Sequence, residues 1–290
     1  MAVAVAIALF YTIKKSSDQF SEFEIGFSDI DFKLVAAAIG TYWIAMILSC
    51  TFWRQILVTL GCRPNWRDTF LAFFVSQLGK YVPGKAMVVV LRTELIRNDK
   101  VNIAPAAASV FIETLTWIFI GSLIACGLIF AHFHDQAVLK WTAAVLAGLA
   151  GTATAPPFFR RVATRLTRKD PAMFAGLNWR TMAMGWVLMS AGWCFNALSL
   201  CFILSSLPDT SLTVADFPLA LACVSLATVA GFASLLPGGI GVRELVMIPL
   251  LGPRFGVPIA IIAAVLIRLV WISAELIGSG IIYQWRRMSK

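Results

Sequence analysis

The chain has 290 residues, 59% of them hydrophobic and only 13% charged, with a mean hydropathy of +0.83; soluble domains carry about 25% charge and about 45–50% apolar residues. That composition excludes a soluble globular enzyme and points to an all-α polytopic membrane protein, a single membrane domain over 1–290. The net charge of +9 raises a nucleic-acid partner, but no soluble basic domain exists to hold one and the positives sit mostly at the ends of apolar runs, which is topology bias.

The chain opens on the apolar run Ala2 to Ile13, followed by Lys14 and Lys15. It has no basic n-region and no convincing cleavage site, so it is a poor signal peptide. Its 12 residues would rise only about 18 Å as a helix, short of the roughly 30 Å hydrocarbon core. It reads as a first spanning helix whose start is clipped or mis-set. Full-length apolar runs follow at Leu34 to Leu60, Ile103 to Ala131, Leu139 to Ala155, Met182 to Leu207 and Val257 to Trp285, making six spanning helices in all. Tryptophans at run ends (Trp53, Trp66, Trp141, Trp179 and Trp285) are read as interfacial anchors.

Two further stretches are apolar but interrupted. Asp68 to Arg97 breaks at Pro83-Gly84 inside Leu78-Gly79-Lys80-Tyr81-Val82-Pro83-Gly84-Lys85, and Asp216 to Leu251 breaks at Pro237-Gly238-Gly239-Ile240-Gly241-Val242-Arg243-Glu244. Proline removes a backbone donor and glycine permits sharp turns. Such backbone survives at membrane depth only when buried in protein or lining a polar cavity. Each stretch is too long for one comfortable crossing and is read as a re-entrant broken helical hairpin, a kinked single helix being the plainer alternative.

The two halves resemble each other. A shift of 154 positions superposes Pro83-Gly84 on Pro237-Gly238, Val88 on Val242, Leu91 on Leu245, Ala106 on Ala260, Leu115 on Leu269 and Trp117-Ile118 on Trp271-Ile272, eight matches in 36 positions against roughly three or four expected from so apolar a composition. The order of elements is the stronger sign, and it gives repeats over about 1–131 and 137–285. With re-entrant hairpins each half crosses an odd number of times, which makes the repeats inverted. With both termini cytoplasmic, the inner loops hold 13 Lys/Arg and the outer loops 5; single crossings with the N-terminus outside would give 12 against 6. Segment length and the central Pro-Gly favour hairpins.

In that arrangement the two Pro-Gly turns approach each other near the midplane, where such folds bind substrate. Nine charges collect there: Lys80, Lys85, Arg92, Glu94, Glu113, Arg243, Glu244, Arg268 and Glu275. Each costs about 2.5–3.5 kcal/mol at bilayer depth and therefore needs a wet cavity or a partner. Internal pairing, for example Glu113 with Arg268, is one reading. The other is a groove in which Lys80, Lys85, Arg92, Arg243 and Arg268 face an anionic head group, helped by free N–H groups at the glycine turns.

Other constellations point nowhere. The six cysteines are scattered singly and read as packing residues; His132-Phe133-His134-Asp135 is one short loop with no further ligands; Arg160, Arg161, Arg165, Arg168 and Lys169 form a basic inner loop, with attraction to an anionic lipid surface as a secondary role. No Walker A, nucleophile-elbow, HExxH or kinase pattern is present, so no enzymatic activity, metal or cofactor is expected.

The stretch from Leu78 to Lys85, then Arg92, Ser109 to Glu113, Pro237 to Glu244 and Arg268, resembles the lysylphosphatidylglycerol synthase transmembrane, or flippase-like, family over nearly the whole chain. The family often has Glu-Arg where this chain has Glu113-Thr114. The resemblance implies lipid translocation across a cytoplasmic membrane by a stand-alone member without a synthase domain. Its members are linked to phospholipid, polyprenyl-linked or hopanoid pathways, and the Gly-Lys-Tyr-x-Pro-Gly-Lys variant to cell-envelope glycan genes. The expected function is a passive or gradient-coupled flippase for a phospholipid or polyprenyl-phosphate-type lipid. Lys80, Lys85, Arg92, Arg243 and Arg268 would hold head-group phosphate, and Glu113 and Glu244 would position these cations or carry a coupling proton. Tyr81, Pro83, Gly84, Pro237, Gly238, Gly239 and Gly241 would shape the cavity. Alternatives are a non-transporting subunit that delivers lipid to an envelope glycosyltransferase and a secondary transporter for a small anion. A glycosyltransferase or a second copy of the chain is the protein partner admitted.

Overall fold

Each long apolar run becomes a helix, and a polar side chain marks where several of them start. Asp31, Asn65 and Asn178 accept backbone N–H groups of Lys33, Asp68 and Thr181 at 2.8, 2.7 and 3.0 Å, satisfying donors that a helix N-terminus leaves free. The computed structural model describes residues 27–82, 86–98, 101–132, 137–167, 174 and 176–288. Within them lie ten α-helices and no strand: α1 (Phe32–Thr59), α2 (Trp66–Gln77), α3 (Ala86–Ile96), α4 (Ile103–His132), α5 (Ala137–Thr154), α6 (Pro156–Thr167), α7 (Trp179–Ser205), α8 (Phe217–Ala233), α9 (Val242–Phe255) and α10 (Val257–Met288). The Ala2–Ile13 run, Pro83, Gly84, Lys85, His134, Asp135, Arg168 and Lys169 lie outside the described residues.

Among the described residues, five helices are long and apolar enough to cross a bilayer: Phe32–Thr59, Ile103–Leu128, Trp179–Ser205, Val214–Ala233 and Val257–Met288. The chain is thus an all-α polytopic membrane protein. Val214–Ala233 is the first arm of the second interrupted stretch, which the sequence alone did not separate as a full-length run. Among the runs read as spans, Leu139–Ala155 corresponds to α5, 18 residues packed along α4.

α1 packs along α7 with Gly185 under the Phe52 ring, and small residues of this kind let membrane helices approach closely. The two interrupted stretches fold back on themselves: α2 packs on α3 across the 3₁₀ turn Leu78–Tyr81, and α8 on α9 across the turn Pro237–Gly239. Charge closes the open end of the second hairpin, where Arg254 donates from Nε and Nη2 to Asp216 at 2.8 and 3.1 Å.

α10 relates the two hairpins. Its 32 residues extend about 48 Å. It starts directly after α9, at the open end of the second hairpin, and near its finish Arg286 pairs with Asp68 at 3.1 Å, at the open end of the first. Its middle, from Arg268 to Glu275, meets both turns, and the turns touch each other. The hairpins therefore point tip to tip from opposite ends of α10.

The tryptophan anchors divide. Trp66, Trp141, Trp179 and Trp285 are exposed, as read, but Trp53 is 0% exposed and is not an anchor: its Nε1 donates to Ser109 Oγ at 2.8 Å and its ring lies 5.2 Å from the Arg92 guanidinium.

Candidate functional site

Where the turns meet, the glycines of the second are required by backbone and by space. Gly238 and Gly239 have φ of +60° and +67°, and a Cβ on Gly238 would lie 3.1 Å from the Tyr81 ring and 3.3 Å from Arg268 Nη2. Gly241, at φ +82°, turns the chain into α9 and so aims Arg243 and Glu244 from that helix's first turn. Pro237 opens the turn, as its fixed φ suits.

Beside these turns lies a cavity of about 560 Å³. Its charged lining comes from four places: Lys80 after α2, Arg92 on α3, Glu113 on α4 and Arg243 on α9. Gly238 and Gly239 also line it, and Tyr42, Trp117, Trp193 and Trp271 form aromatic walls. At its rim stand Val90, Phe111 and Phe232, apolar side chains on α3, α4 and α8 that are 50%, 53% and 40% exposed.

Three ion pairs organise the charges. Arg92 is 2% exposed; it donates from Nη1 to Glu113 at 2.7 Å and from Nε to Ser76 at 2.9 Å, with its guanidinium over Phe73 at 4.3 Å. Arg268 donates from Nη1 to Glu244 at 3.2 Å. Lys80 pairs with Glu275, which also accepts the Tyr42 hydroxyl and, at 3.0 Å, the Tyr81 hydroxyl. Glu113 with Arg268, the pairing suggested by the repeat, does not form. Each partner instead finds its opposite within its own half, on a hairpin arm and the helix that follows it.

Arg243 has no carboxylate partner among the described residues. Its guanidinium lies 5.6 Å from the Trp271 ring, its stem packs on Gly231, and its Nε is buried without a hydrogen-bond partner. Of the cations lining the cavity it alone, among the described residues, lacks an ion pair.

The predicted site residues separate accordingly. Lys80, Arg92, Glu113, Arg243, Gly238 and Gly239 are brought to one cavity. Glu244 and Arg268 sit behind it, in a smaller void shared with Thr228 and Arg243, rather than on the groove itself. Glu94 does not join the cavity: it is exposed, 3.7 Å from the exposed Arg97 at the end of α3. Tyr81 is buried against Ile272 and Glu275. Lys85, Pro83 and Gly84 lie outside the described residues.

Sequence reasoning missed the role of Glu275, Tyr42 and the tryptophan walls. One signal was available, since Trp117 and Trp271 superpose in the 154-residue shift and both line the cavity.

The family model described as the lysylphosphatidylglycerol synthase TM region matches residues 1–273. The chain belongs to that family. A comparison with curated proteins found no match. The family match spans every residue of the cavity lining, and in this member the two turns and their ion pairs form the polar centre of an otherwise apolar bundle.

Proposed function

We propose that the chain is a lipid flippase of the cytoplasmic membrane: it moves an anionic phospholipid or polyprenyl-phosphate-type lipid between leaflets without altering it chemically. The observation that carries this is the cavity's division of labour. Its lining presents Lys80, Arg92 and Arg243 against one carboxylate, Glu113, while its rim between α3, α4 and α8 is made of exposed Val90, Phe111 and Phe232. A largely apolar cavity that holds a few buried charges and has exposed apolar side chains on three helices suits a molecule whose head group meets the charges while its tails stay in the hydrocarbon. The main barrier to flipping is removing a charged head group from water, and fixed charges in a wet groove lower it. A cavity for a small soluble anion needs no such rim.

In this reading the two hairpins are re-entrant, the halves 1–131 and 137–285 are inverted repeats, and both termini are cytoplasmic. The tip-to-tip placement along α10 supports it, because it puts both turns near the middle of a helix longer than the bilayer core is thick. Arg243, left without a carboxylate, is the primary phosphate ligand, with Lys80 and Arg92 beside it. Glu113 orients Arg92, and the Glu244–Arg268 pair supports the turn from behind.

Reconstitution tests the reading. Vesicles carrying the purified chain and a trace of fluorescent phosphatidylglycerol should lose nearly all fluorescence to external dithionite, whereas empty vesicles lose only the outer-leaflet half. Equal loss from both overturns it. Uptake of inorganic phosphate without lipid movement would favour the small-anion transporter instead.

A further inference from the structure

We propose that Asn196 on α7 selects lipids whose head group carries a neutral hydroxyl beyond its phosphate, in preference to head groups with no donor or with an amine. This rests on the flippase reading and names the substrate class for the same cavity.

Two residues lining the cavity hold a buried polar side-chain atom with no hydrogen-bond partner among the described residues: Arg243, at Nε, and Asn196, at Oδ1. One is a cationic donor and the other a neutral acceptor. Asn196 is 2% exposed, and its amide nitrogen donates to the Gly192 carbonyl one turn back at 3.1 Å. A carbonyl only accepts, so that bond settles which end of the amide is tied to the helix and which is left over. A buried acceptor without a partner is costly and calls for an explanation. On a cavity wall, a donor on the occupant supplies one.

The two atoms belong to one stretch of wall. The Arg243 guanidinium lies 5.6 Å from the Trp271 ring, and Trp271 Nε1 donates to Ser199 Oγ at 3.3 Å. Ser199 follows Asn196 by three residues on α7, about 4.5 Å along the helix and on the same face. A phosphate on Arg243 therefore has the rest of its head group beside Asn196. The cavity volume of about 560 Å³ is that of a site for a whole small molecule, so it has room for more than a phosphate.

Charge decides which donor fits. Glu113 and Glu275 are already bound, to Arg92 and Lys80, and the charge left over on the cavity wall is the positive one of Arg243. A phosphodiester neutralises it. An ammonium brought in with that phosphate finds no carboxylate and loses its water, whereas a hydroxyl gives Oδ1 a donor without adding charge. Trp193, one turn before Asn196, stacks on Trp117 with ring centroids 4.2 Å apart, and this pair offers the C–H groups of a polyol an aromatic wall.

The test uses the full chain in vesicles with trace lipids labelled on an acyl chain, so that only the head groups differ. Phosphatidylglycerol should cross about three- to tenfold faster than phosphatidylmethanol, an equally charged phosphodiester without a hydroxyl, as one neutral hydrogen bond gives. Phosphatidylethanolamine should be no faster than phosphatidylmethanol. Asn196→Leu, close in size but without an acceptor, should bring the ratio of phosphatidylglycerol to phosphatidylmethanol rates to about one, and Asn196→Ala, which adds no bulk, serves where the leucine variant does not fold. Equal wild-type rates for phosphatidylglycerol and phosphatidylmethanol, phosphatidylethanolamine reaching the phosphatidylglycerol rate, or a ratio that survives the substitution overturns the proposal while leaving the flippase reading standing. Wild-type vesicles that flip none of the three lipids overturn both.

Discussion

Arg92 on α3 meets Glu113 on α4 at 2.7 Å, and in the second half Glu244 on α9 meets Arg268 on α10 at 3.2 Å with the signs exchanged. In each half a charge on the second hairpin arm is answered from the helix that follows. The pairing fixes each hairpin to its own half; between the halves the turns meet and Lys80 pairs with Glu275, beside the packing of α1 on α7, α4 on α8 and α10 on α2.

Breaking the first pair should be costly. Glu113→Ala leaves Arg92 buried without a countercharge and should destabilise the protein by about 3–5 kcal/mol, whereas Arg92→Met with Glu113→Leu should cost much less. Thermal unfolding in detergent, followed by loss of the monodisperse species, checks both. Equal losses would mean the residues do not act as a pair.

Arg243→Ala should do the reverse, sparing the fold and removing function. It orphans no carboxylate, so the melting temperature should change little. The loss of charge-assisted hydrogen bonds to phosphate, about 1.5–3 kcal/mol, should slow flipping about 10–100-fold. Arg243→Lys should fall between, keeping charge but losing the bidentate fork. Dithionite kinetics on matched vesicles measure all three.

The meeting of the turns can be probed through Gly238. Alanine there is strained by about 1–2 kcal/mol at positive φ and also presses on the Tyr81 ring 3.1 Å away. Gly238→Ala should slow flipping more than its loss of stability explains. Gly40→Ala, on α1 with open space around it, should leave both unchanged or raise stability slightly.

Helix packing sets a further limit. A side chain at Gly185 overlaps the Phe52 ring, so Gly185→Leu should force α1 from α7 at a cost of about 1–3 kcal/mol, read as a lower melting temperature. An unchanged melting temperature would show that this contact is not tight.

From its composition and run lengths alone the sequence determined a helical membrane protein, the places where two stretches break, and the charges that need an explanation. Those are local matters: apolar length decides what becomes a buried helix, and Pro-Gly decides where a helix stops. Only the tertiary structure decided which charge meets which. Glu113 and Arg268 fall one position apart under the 154-residue shift but do not pair, because each meets a partner on the arm of its own hairpin. Trp53 ends an apolar run like an anchor, yet packing turns it inward against Arg92. Glu275 is one carboxylate among several in the sequence; it becomes a hub only because α10 passes both tips, bringing Tyr42, Lys80 and Tyr81 to it from at least 194 residues away along the chain. Arg243 is unremarkable beside Glu244 in the sequence, and only the fold gives Glu244 to Arg268 while Arg243 meets no carboxylate among the described residues. Pairing in a low-dielectric interior depends on a few ångströms of separation, and such distances are set by how the helices pack rather than by where the residues fall in the sequence.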